Sequence, residues 1–77
     1  MRTGVYILIN GSYRELPSGT RFIVETGRKV HFHRSEKATI REIKALISLG
    51  IDYSVTTVDG KVLALCEDSG EPHLKEV

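Results

Sequence analysis

His31 and His33 stand two residues apart, a spacing that on an extended strand sends both imidazoles to one face, where they can share a metal with a further ligand such as Cys66 or His73. A structural zinc site asks for four ligands, and no second pair at ligand spacing accompanies this one, so the two histidines are weak metal candidates. The plainer reading makes them the solvent face of a strand whose Val30 and Phe32 are buried. Cys66 is the single cysteine, and Glu67 and Asp68 beside it are a poor setting for a nucleophilic thiolate. Ser18, Ser35 and Ser69 lack the flanking pattern of a nucleophile elbow, and no glycine-rich run leads from a strand into a helix to cradle phosphate. The expectation is a protein that is not an enzyme and carries no cofactor or metal.

Binding chemistry is better represented. Arg28, Lys29, Arg34, Lys37, Arg41 and Lys44 lie in the basic middle of the chain, where Arg21 to Lys44 holds seven basic against three acidic residues, a balance of +4. Residues 52–77 hold two basic against six acidic residues, a balance of −4, within a total of only +1. Segment 21–44 is therefore the candidate nucleic-acid surface, while the small total charge gives that partner little support. The plainer reading is a solvated face partly matched by Glu25, Glu36 and Glu42. A protein partner or a second copy of the chain has the stronger claim. Tyr6, Leu8 and Leu16 supply more apolar strand surface than one short helix can cover, and hairpins leave strand edges open to pairing.

These residues need elements to position them, and the clearest is a helix over Thr39 to about Leu49. Thr39 with Glu42 three residues later is a capping-box pattern, although Ser35 can also serve as the cap and add a turn. At about 100° per residue Ile40, Ile43, Leu46 and Ile47 share one apolar arc, and Gly50 followed by Ile51 reads as a Schellman ending.

Strands surround the helix. Val5 to Ile9, apolar on both faces, reads as an interior strand that turns at Asn10-Gly11 into Ser12 to Leu16. Phe22 to Val24 turns near Thr26-Gly27 into Val30 to His33, and a two-residue loop there sets Glu25 opposite Arg28 and Ile23 opposite Val30. Past the helix, Tyr53 to Val58 and Lys61 to Cys66 flank Asp59-Gly60. A three-residue loop of Val58, Asp59 and Gly60 gathers Tyr53, Val55, Leu63 and Leu65 on one face, whereas a two-residue loop mixes bulky and polar residues, so the longer loop is preferred. The fold class is α+β, an antiparallel sheet of hairpins in the order ββββαββ with the helix on one face. Residues 1–66 form the single domain, and 67–77, without apolar periodicity, read as a flexible acidic tail.

A chain of 77 residues buries only about 60% of the surface its unfolded form exposes, and dimerisation is the cheapest added stability. One cysteine in so small a domain favours a reducing, cytoplasmic setting, and the run from Val5 to Ile9 is far short of the roughly 20 residues that span a bilayer. The expected function is a small non-enzymatic binding protein that regulates or inhibits a larger partner, with self-association possible. A nucleic-acid binder is the alternative.

Overall fold

The computed structural model describes residues 6–9, 11–67 and 70–77. Its elements are β1 (Tyr6–Ile9), β2 (Ser12–Glu15), β3 (Phe22–Thr26), β4 (Val30–His33), α1 (Glu36–Leu49), β5 (Tyr53–Thr57), β6 (Val62–Cys66) and β7 (His73–Glu76). The α+β class and the hairpin order through β6 are as the sequence predicts, with one helix packed against antiparallel strands. The strands divide into two sheets, a β1-β2 ribbon and a five-stranded sheet ordered β4-β3-β5-β6-β7.

That division corrects the reading of the first strand as interior. Among the described residues β1 pairs with β2 alone, and the inner positions of the larger sheet belong to β3, β5 and β6. Gly11 adopts φ 80, as the tight turn requires, while Val5 and Asn10 lie outside the described residues.

α1 begins three residues before the expected Thr39. Ser35, in extended geometry, is the N-cap, and its hydroxyl accepts from the Ala38 amide at 3.1 Å. Thr39 lies in the second turn, fully buried, with its hydroxyl donating to the Ser35 carbonyl at 2.8 Å. Its oxygen is committed to that bond inside the helix, and no capping box forms. At the other end Gly50, at φ 72, donates to the Ile47 carbonyl and Ile51 donates to the Leu46 carbonyl, the bond pair of a Schellman motif. The buried stripe is Thr39, Ile40, Ile43 and Leu46. Ile47, expected within it, is 54% exposed.

The core beneath α1 is Val24, Ile43, Leu46 and Val55, with Tyr53, Leu63, Leu65 and Leu74 packed against it. The loop between β5 and β6 has the three residues that this face demanded. Val55 opposes Leu63, the Thr57 amide bonds the Lys61 carbonyl, and Gly60 sits at φ 90. Between β3 and β4 the register is shifted by two residues from that expected, with Glu25 opposite Val30 and Ile23 opposite Phe32. Gly27 and Arg28 form the loop, and the Thr26 hydroxyl accepts from the amides of Arg28 and Lys29. A shift of two keeps the same side chains together on each face of the hairpin.

The segment read as a tail carries β7, antiparallel to β6, which extends the folded domain past residue 66. Leu74 alone turns a large apolar side chain to the core there, which is too little to register as periodicity. Among the described residues no helix is long and apolar enough to cross a membrane.

Candidate functional site

β4 places His31 opposite Val24 and His33 opposite Phe22. Val24 lies in the core under α1, so both imidazoles lie on the helix side of the sheet, with His33 largely covered and His31 still half exposed, which corrects the plainer sequence reading. The reason is that β4 is half-covered on both faces: Val30 and Phe32, expected to be its buried side, are only partly buried on the other one. Between the two rings stands Glu42 from the flank of α1. His33 Nε2 lies 2.5 Å from Glu42 Oε1, and His31 Nδ1 bonds Glu42 Oε2. Each carboxylate oxygen thus accepts from one ring. Burial raises the Glu42 pKa, but the hydrogen bonds from His33 and His31, with the charge of the two rings, outweigh it and hold the carboxyl below its ordinary value.

This cluster ties helix to sheet, and it uses the carboxylate fully in doing so. Cys66 and His73, the other ligands considered for a metal, oppose each other on β6 and β7. They lie three and four strand spacings from β4, about 14 and 19 Å away. Among the described residues no three His, Cys, Asp or Glu side chains form a group able to hold a metal ion. Of the serines, Ser35 is spent on the helix cap and Ser18 is exposed in a turn, while Asp68 and Ser69 lie outside the described residues.

The basic residues are all exposed and come from three places in the fold. Arg28 and Lys29 sit at the β3-β4 turn and Arg34 at the opposite end of β4, about 17 Å along the strand from Lys29. Lys37, Arg41 and Lys44 form a separate stripe on the outer face of α1, and Lys44 pairs with Glu67 at 3.5 Å.

The ribbon carries the apolar surface. In its register Leu8 opposes Tyr13 and Tyr6 opposes Glu15, so these four share one face. Tyr6, Leu8 and Tyr13 are 55%, 60% and 75% exposed, while Ile9 on the other face is buried. Leu16 lies just past β2 and is half-buried. Sequence reasoning selected Tyr6, Leu8 and Leu16 and did not select Tyr13. The two-residue turn at Asn10-Gly11 was the signal that places it beside Leu8.

A second surface was not anticipated. A cleft of about 570 Å³ lies between the β3-β4 turn and the C-terminal half of α1, lined by Arg28, Lys29, Leu46, Leu49, Ile51 and Asp52 among others, with His31 and Glu42 also on its wall. Leu49 and Ile51, large and exposed just where the helix stops, were its sequence signal. Comparison with protein-family models, curated proteins and solved structures finds no match, so the arrangement of these residues alone carries the functional argument.

Proposed function

We propose that the chain is a small non-enzymatic cytoplasmic binding protein that regulates or inhibits a larger protein partner, with self-association through the same surface. The observation that carries this reading is the exposed face of Tyr6, Leu8 and Tyr13 on one side of a two-stranded ribbon. Aromatic residues are favoured anchors at protein interfaces, because they remove large area from water at little cost in side-chain freedom. Among the described residues the ribbon pairs with no further strand, and a strand edge offers backbone donors and acceptors to an extended partner segment.

The test compares the wild-type chain with Leu8→Glu and Tyr13→Glu in affinity capture from the native host and in light scattering. A partner, or a dimer, held by the wild-type chain and released by both variants is the expected result. Identical captures together with a monomer at every concentration would end the reading.

The nucleic-acid alternative draws on the Lys37, Arg41 and Lys44 stripe of α1. It requires binding to mixed DNA or RNA at low salt that weakens steeply as salt rises, and no binding at low salt rules it out.

A further inference from the structure

The cleft beside α1 divides its chemistry by direction. Leu46, Leu49 and Ile51 form an apolar floor at the end of the helix, and the β3-β4 turn brings Arg28 and Lys29 to the opposite side. The carboxylate of Glu42 is engaged by His31 and His33, and Asp52, one residue before the Tyr53 that pairs with Thr26, is the remaining acidic residue of the lining, beside the turn that carries the two cations. The last turn of α1 holds no basic residue, so the negative end of the helix dipole stands beside Leu49. Two cations against one carboxylate leave the turn side with a surplus of positive charge, so an anionic group is favoured there over the helix end. At about 570 Å³ the cleft falls in the range of sites that take small molecules, roughly 300 to 1,000 Å³.

We propose that this cleft binds a free amphiphile with an anionic head, a carboxylate on an alkyl body. Its head sits against Arg28 and Lys29, and its alkyl chain lies over Leu46, Leu49 and Ile51. Charge selects the head and fixes the orientation, while removal of Leu49 and Ile51 from water supplies the affinity. The cleft shares no residue with the face of Tyr6, Leu8 and Tyr13, so this site goes beyond the ribbon reading and stands or falls apart from it.

The experiment titrates the full chain with sodium decanoate below its micellar range and follows backbone amide chemical shifts. Decyltrimethylammonium bromide, with the same alkyl length and the opposite charge, is the comparison. The expected result is saturable shifts centred on Arg28, Lys29, Leu46, Leu49 and Ile51, with the cationic amphiphile about tenfold weaker or worse. The double variant Arg28→Glu, Lys29→Glu lowers decanoate affinity by about tenfold, Leu49→Ser lowers it as well, and Tyr13→Ser leaves it unchanged. Arg28, Lys29 and Leu49 are exposed, so these variants keep the fold, which circular dichroism verifies. Equal affinity for the two head groups overturns the proposal. So do shifts that never saturate, the pattern left if the cleft instead serves a protein partner, and shifts centred on the ribbon.

Discussion

Glu42 is drawn to two roles by its surroundings. Three residues after Thr39 it fits a capping box, yet its carboxylate reaches across to β4 and accepts from His31 and His33. The sign of the pH effect follows from its depressed pKa. The folded value lies below the ordinary 4.5, so the stabilisation is fully present above pH 4.5 and is lost as pH falls through the folded value. Glu42→Gln is expected to cost about 1 to 2 kcal/mol near neutral pH, because an uncharged amide meets the two rings less well. In denaturant titrations the gap between wild type and variant should narrow below pH 4.5, and a gap that widens there would refute the assignment. That the histidines share a face was legible from their spacing. Which face it is depends on the side that α1 covers, and the apolar Val30 and Phe32 pointed to the wrong one.

At the scale of elements, the ending of α1 and the loop of Val58 to Gly60 could be read directly, because each is set by local backbone chemistry: a left-handed glycine and a bulge that keeps one face apolar. The start of α1 was less legible, since Ser35 and Thr39 both offer a hydroxyl and burial decides between them. Ser35→Ala should cost about 1 kcal/mol in thermal or chemical unfolding. The turn glycines divide in the same terms. Gly60 at φ 90 is expected to lose about 1 kcal/mol or more as alanine, whereas Gly27 has no positive φ and open space around its missing Cβ. Gly27→Ala should therefore be neutral or stabilise by about 0.5 kcal/mol through the unfolded chain. Similar losses at both positions would show that the two turns are not built as described.

Taken whole, the chain is longer than its residue count suggests. It measures 47 × 22 × 19 Å, with a radius of gyration of 13.0 Å against about 11.5 Å for a compact chain of this length. Composition and periodicity identified β1 to β6 but missed β7, and they could not assign strands to sheets, because strand partners remote in sequence leave no local mark. Val5 to Ile9 looked interior on hydrophobicity alone, yet Tyr6 and Leu8 face solvent. Since these side chains and Tyr13 are already exposed, Leu8→Glu and Tyr13→Glu should change stability by no more than about 0.5 kcal/mol, so that lost association is not mistaken for lost folding.

The helix also does more than cover the sheet. Glu36 Oε2 accepts from the Leu74 amide of β7 at 2.7 Å, while Glu42 holds β4, and six residues at about 100° each set these carboxylates some 120° apart on opposite flanks of α1. β7 and β4 are the two outermost strands, so a single rod ties both borders of the sheet. Opening at either border strains the same helix, and the five strands are thereby made one cooperative unit, with both margins of the sheet sharing a common threshold for unfolding.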